Sequence, residues 1–124
     1  MVLMKIPKQH HRLLSSREYK AVYAKGRKIS TPYFSAFVIK TESEHQRLGL
    51  TTTRKIGNAV LRNRCRRRLR DAFRFRDLSS LSGVGFDVVL NVRPSTATAE
   101  FKDIESAFAQ FFQRFRQTLD KESA

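Results

Sequence analysis

The chain has 124 residues, 40% hydrophobic and 10% aromatic, with ten Phe and no Trp; that is long enough for one modest core and too apolar for a disordered tail. Its formal charge is +14, and it is unevenly placed. Residues 1–76 carry 20 Lys/Arg against Glu18, Glu42, Glu44 and Asp71, whereas residues 77–124 carry five against seven acids. An even solubilising coat would not divide in this way, so one side of the fold is expected to face a polyanion. Sixteen of the 25 cations are Arg, whose planar fork pairs phosphate bidentately. No apolar run approaches the roughly 18 residues of a spanning helix, and residues 1–12 lack the continuous apolar stretch of a secretory signal. With a single Cys no internal disulfide can form, and a cytoplasmic location without membrane partners is expected.

Residues 1–13 read as an irregular basic arm on one domain spanning 1–124. The adjacent pair His10-His11 cannot face one metal from the same side of a regular element, and no metal site is expected. Ser15-Ser16-Arg17-Glu18 has capping-box spacing, and Leu14 and Tyr19 fall at the staple positions. The helix is predicted to run to about Ala24 and stop at Gly26, with Tyr19, Val22 and Tyr23 on one face. A short strand near 27–30, a strand over Phe34–Lys40, a turn at 42–47 and a strand at 48–53 follow, the last two strands read as a hairpin.

Gly57-Asn58 opens a second helix to about Arg76. Leu61, Cys65, Leu69, Ala72 and Phe73 fall within an arc of about 120° at 100° per residue, which makes Cys65 a small buried hydrophobe rather than a nucleophile. Arg66, Arg70, Arg74, Arg67, Arg64 and Arg68 cover roughly 140° to 340° from Leu61, with Arg62 at the margin. After a loop at 79–85, Phe86, Val88, Leu90 and Val92 form a largely buried strand ending at Pro94. Phe101, Ile104, Phe108, Phe111, Phe112, Phe115 and Leu119 then recur at threes and fours, a core stripe that Thr96 or Thr98 can cap. The sum is an α+β protein with a small sheet.

Residues 54–76 hold ten cations and one acid, Asp71. Like charges at i,i+4 each cost a few tenths of a kcal/mol, and a merely solvated face would mix in Glu. Strands precede this helix, so no helix-turn-helix is available. Arginines spread over about 200° suit the backbone and junctions of a folded RNA better than one duplex face. A nuclease acting alone would need a carboxylate cluster or paired His, but the acids are scattered and His45 stands alone in a turn; no catalytic residue is expected. Composition leaves open a structural binder of ribosomal RNA.

Lys55-Ile-Gly-Asn-Ala-Val-Leu-Arg-Asn-Arg-Cys-Arg-Arg-Arg-Leu-Arg70 closely resembles the signature of the bacterial ribonuclease P protein component. Glu18-Tyr-Lys-Ala-Val-Tyr-Ala-Lys-Gly26 and Arg47-Leu-Gly-Leu50 extend the resemblance over nearly the whole chain, and the long signature separates it from a ribosomal protein. Cys65 departs from the larger aliphatic usual at its position, and Arg66 and Arg68 make the helix richer in arginine than in many relatives. The resemblance implies a mixed sheet of about four strands and three helices in the order α-β-β-β-α-β-α. It also implies a left-handed crossover around the basic helix, against the general right-handed rule. The implied partners are a large catalytic RNA and precursor tRNA, with no obligate protein partner, and the implied reaction is Mg²⁺-dependent removal of the 5′ leader. The RNA would perform the hydrolysis and hold most of the Mg²⁺. Arg54, Lys55, Asn58, Arg62, Asn63, Arg64, Arg66, Arg67 and Arg70 carry over as RNA-binding positions, and Tyr19, Tyr23 and Phe37 as a leader-binding cleft between first helix and sheet.

Overall fold

The structure is a computed structural model and describes residues 15–77 and 81–123. The expected basic arm, His10-His11, the staple partner Leu14 and the start of the 79–85 loop lie outside the described residues. The elements run α1 (Ser16–Lys25), β1 (Arg27–Ser30), β2 (Phe34–Lys40), β3 (Gln46–Thr51), α2 (Ala59–Arg74), β4 (Phe86–Val92) and α3 (Phe101–Ser123). This is the expected α+β order, built on a mixed sheet of four strands.

The sheet order β1-β2-β4-β3 corrects one expectation: β2 and β3 are not a hairpin. Central β4 separates them, antiparallel to β2 and parallel to β3, with Leu48 opposite Val88. The reason is burial. Phe86, Val88, Val89 and Leu90 are fully buried, and a strand apolar on both faces belongs in the middle of a sheet. The polar segment at 41–45 therefore spans a strand's width, and β3 starts two residues earlier than its alternation indicated.

The two sheet faces follow strand parity. Phe34, Ala36, Val38, Phe86, Val88 and Leu90 point to α2 and α3, where the phenylalanine stripe of α3 closes the core. Phe34–Phe108 and Phe86–Phe115 ring centroids lie 4.9 and 5.4 Å apart. Phe101 is the exception in that stripe: it sits one turn ahead of fully buried Ile104 and is 40% exposed. Thr96 is buried as well, its hydroxyl donating to the Tyr33 carbonyl at 2.9 Å. The cap expected of it is replaced by a 3-10 turn, Pro94–Ala97, closed at Thr98.

α1 lies on the opposite face. The capping box is formed: Ser15 Oγ accepts from Glu18 N at 3.2 Å and Glu18 Oε1 accepts from Ser15 N at 3.0 Å. Glu18 also accepts from Arg47 Nη1 at 2.5 Å, while Arg47 Nε and Nη2 pair with both oxygens of Asp87 at 2.9 and 2.8 Å. One carboxylate thus starts the helix and fastens it to the sheet. The Asp87 hydrogen bond, more than Glu18, holds the Arg47 guanidinium above its ordinary pKa, so it is charged at every accessible pH. Gly26 ends α1 in extended backbone; a Cβ there would fall 2.4 Å from the Val22 carbonyl oxygen, so close approach demands glycine, not a left-handed turn. Arg47→Ala should lower stability by about 1–2 kcal/mol in urea unfolding, less than a wholly buried pair would cost because its side chain is 31% exposed.

Candidate nucleic-acid interface

Gly57 turns the chain into α2 at φ 135°, a conformation that favours glycine, and Asn58 Oδ1 caps the helix by accepting from Leu61 N at 3.0 Å. The first turn of α2 contains no acid, although the helix dipole favours one there. Cys65, Leu69, Ala72 and Phe73 face the core, and burial pushes the Cys65 thiol up, consistent with an unreactive packing residue. Leu61 was expected in that buried arc but is 38% exposed; a Cβ on Gly57 would meet its Cδ1 at 2.7 Å, so it lies back over the turn.

On the outer side Arg54, Lys55, Asn58, Asn63, Arg64, Arg67 and Arg70 are exposed, with Arg62 and Arg66 half-buried. Among the described residues, Arg54, Lys55, Arg62, Arg64, Arg66 and Arg67 form no ion pair with an acid. Three of them bond neutral groups instead. Arg62 Nη1 donates to the Gly57 carbonyl at 2.8 Å, and Arg66 Nη2 to Asn63 Oδ1 at 2.9 Å. Two arginines of the expected outward arc also brace the fold. Arg64 Nε donates to the Ala97 carbonyl at 3.0 Å, and Arg68 reaches the carbonyls of Ala97 and Ala99. These bonds tie α2 to the connection before α3 while leaving the charge unneutralised.

α2 ends at Arg74, and Arg76 is withdrawn from the surface. Its guanidinium carbon lies 3.9 Å from the Phe73 ring centroid, and its Nε donates to Gln46 Oε1 at 2.9 Å. Burial lowers its pKa to about 10, so it stays charged at neutral pH.

Across the sheet, the three aromatics named from the sequence come together. Tyr23 and Phe37 meet edge to face at 4.9 Å between centroids, and Phe37 and Tyr19 pack beside buried Val22 and Val89. The Tyr19 hydroxyl accepts from Leu50 N at 3.2 Å, and its ring lies so close over Gly49 that a Cβ there would be 2.7 Å away. Tyr23 is 36% exposed; its hydroxyl donates to Asn91 Oδ1 at 2.5 Å and lies 3.0 Å from Thr51 Oγ1.

Sequence reasoning missed the floor beside these rings. Lys28, Ser30, Ser35, Thr51 and Asn91 share the α1 side of the sheet beyond the helix end and are exposed or half-buried. Lys28 Nζ lies 5.9 Å from the Phe37 centroid, and Arg93 Nη2 donates to Ser35 Oγ at 3.1 Å. Strand parity was the available signal: these positions alternate with core residues, but only the sheet order sets them side by side.

The floor and the basic helix share one end of the molecule. Because β3 and β4 are parallel, Thr51 and Asn91 stand side by side and both strands leave in the same direction. One leads into the Arg54–Ile56 turn and α2, the other into the Pro94–Ala97 turn on which Arg64 rests.

With this geometry in place, comparison with known proteins is decisive. The profile of the family described as Ribonuclease P matches residues 7–116. The chain belongs to that family. A ribonuclease P protein component of Clostridioides difficile is 29% identical over 102 residues, covering 82% of this chain and 89% of the relative. One from Lachnoclostridium phytofermentans is 33% identical over 95 residues, covering 77% and 80%. Among solved structures, the ribonuclease P protein of Thermotoga maritima superimposes with a TM-score of 0.72 at 26% identity, over 84% of this chain and 96% of that one. A mutant of the Staphylococcus aureus protein shares the fold at a TM-score of 0.75 and 22% identity, over 88% and 91%.

The chain is accordingly the protein subunit of an endoribonuclease whose RNA performs the hydrolysis, and it assists removal of the 5′ leader from precursor tRNA. Catalysis in this ribonuclease P family depends on Mg²⁺, and its protein binds the RNA subunit and precursor tRNA. Among the described residues no three His, Cys, Asp or Glu side chains stand together as metal donors, so these residues offer no donor set that fits a protein-held ion. None of the described helices is long and apolar enough to cross a membrane.

Proposed function

We propose that α2 and the turn before it dock on the catalytic RNA while the aromatic floor under α1 receives the unpaired 5′ leader. The observation that carries this reading is the shared end: six signature cations without an acid partner among the described residues begin where the open floor stops. Arg54, Lys55, Arg62, Arg64, Arg66, Arg67 and Arg70 serve as phosphate contacts. Asn63 orients Arg66, and Asn58 holds the first turn of α2 so that its N–H groups face the RNA. Tyr23 and Phe37 stack on leader bases, which tolerates any leader sequence, and Tyr19 holds the cleft wall against Gly49. The hydroxyl and amide groups of Ser30, Ser35, Thr51 and Asn91 can bond ribose and base edges.

The protein thereby fixes the leader relative to the RNA's reaction centre and screens phosphate repulsion between the two RNAs. Mg²⁺ rests mainly with the RNA, in keeping with the scattered carboxylates. The test is reconstitution with a bacterial catalytic RNA at low Mg²⁺, followed by precursor cleavage. The protein should restore leader removal, and the protein alone should cleave nothing. Cleavage by the protein without RNA, or no gain over RNA alone, would overturn the reading.

A further inference from the structure

Val60 is the most exposed large hydrophobic residue among those described, at 75%. It stands in the first turn of α2, and its helical neighbours at i+3, i+4 and i+7 are Asn63, Arg64 and Arg67, all exposed. The buried face of the same helix is formed by Cys65, Leu69, Ala72 and Phe73, and among the described residues Val60 stays uncovered. A lone exposed aliphatic is ordinary on a protein surface. This one is different in position: the helix cannot lay Asn63, Arg64 and Arg67 against an RNA without burying Val60 in the same contact.

What lies opposite is constrained by chemistry. A phosphate or ribose hydroxyl pressed against the two methyls would lose hydration and gain no hydrogen bond. A base inside a duplex hides its faces by stacking, whereas an unpaired base offers an apolar face. Arg64 and Arg67 beside it select a polyanion as the bearer of that face over an apolar protein partner. We propose that Val60 is an aliphatic prong that seats against the face of an unpaired nucleobase of the catalytic RNA. It adds an uncharged, shape-dependent contact to a surface otherwise held by phosphate pairing. The inference rests on the docking of α2 proposed above.

Salt dependence separates the two. Each phosphate contact contributes about one to the slope of log affinity against log salt, whereas burial of a methyl group contributes nothing to it. Full-length Val60→Ala and Arg67→Ala are titrated with the catalytic RNA alone, without precursor tRNA, across a salt series. Val60→Ala should bind about three- to tenfold more weakly with an unchanged slope. Arg67→Ala should weaken binding and lower the slope by about one. Val60→Thr, similar in shape but polar, should fall with Val60→Ala. Unchanged affinity in Val60→Ala, a reduced slope in it, or a defect seen only with precursor tRNA would each overturn the prong. If Arg67→Ala also alters neither affinity nor slope, the docking of α2 fails as well. Val60 is exposed and alanine is the better helix former, so an unchanged thermal melt establishes that the variant is folded.

Discussion

Raising the salt from 50 to 200 mM should weaken binding of the catalytic RNA by ~10³-fold or more, the response expected when ~6–10 phosphates are neutralised. The cations expected to set that number are those that no acid neutralises among the described residues. Arg54, Lys55, Arg62, Arg66 and Arg67 touch only neutral groups or solvent among the described residues, and Arg64 keeps its charge although one nitrogen rests on Ala97. Arg76 and Arg47 contribute little, the first because it is buried beneath Phe73, the second because Asp87 and Glu18 already neutralise it. A logarithmic plot of affinity against salt measures the effect, and a flat line would remove phosphate pairing as the basis of docking.

Replacing Tyr23 by Ala should lower affinity for precursors with a leader by ~5- to 100-fold, since base–aromatic stacking contributes ~1–3 kcal/mol per base, and should leave mature tRNA unaffected. Tyr23 is the sensitive position because it is the most exposed of the three rings and touches Phe37, Thr51 and Asn91 together. Tyr19→Ala should lose both binding and stability, because it also strips the cover from Gly49 and from the Leu50 amide. The check is a pair of titrations of the reconstituted enzyme, one with leader and one without. Equal losses in both would reject the cleft.

The helices were legible because their signals are local: the capping box at Ser15 and Glu18, the helix opening at Gly57-Asn58, and the three-and-four spacing in α3 are all realised. Strand pairing was not. Nothing around residues 41–45 records that β4, some forty positions onward, will enter between β2 and β3. The proximity of the three aromatics was legible but the floor beside them was not, since Ser30, Ser35 and Asn91 become neighbours through that insertion. The charge of α2 was plain, but the diversion of Arg64 and Arg68 to the Ala97 and Ala99 carbonyls depends on where the chain returns after β4. Leu61 and Phe101 fit the apolar spacing and still face solvent, because periodicity gives a direction and not the extent of the cover.

The strand synthesised last sits in the centre of the sheet, and this dictates an order of assembly. Before Phe86 has been made, β3 has no partner among the described strands, and β1 with β2 forms an isolated two-stranded ribbon of marginal stability. Joining Leu48 to Val88 closes a ring whose contour includes the whole arginine helix. A polyanion that grips that helix only in its folded position therefore also favours ring closure, so the ribonucleoprotein is the form in which the polypeptide is most firmly folded.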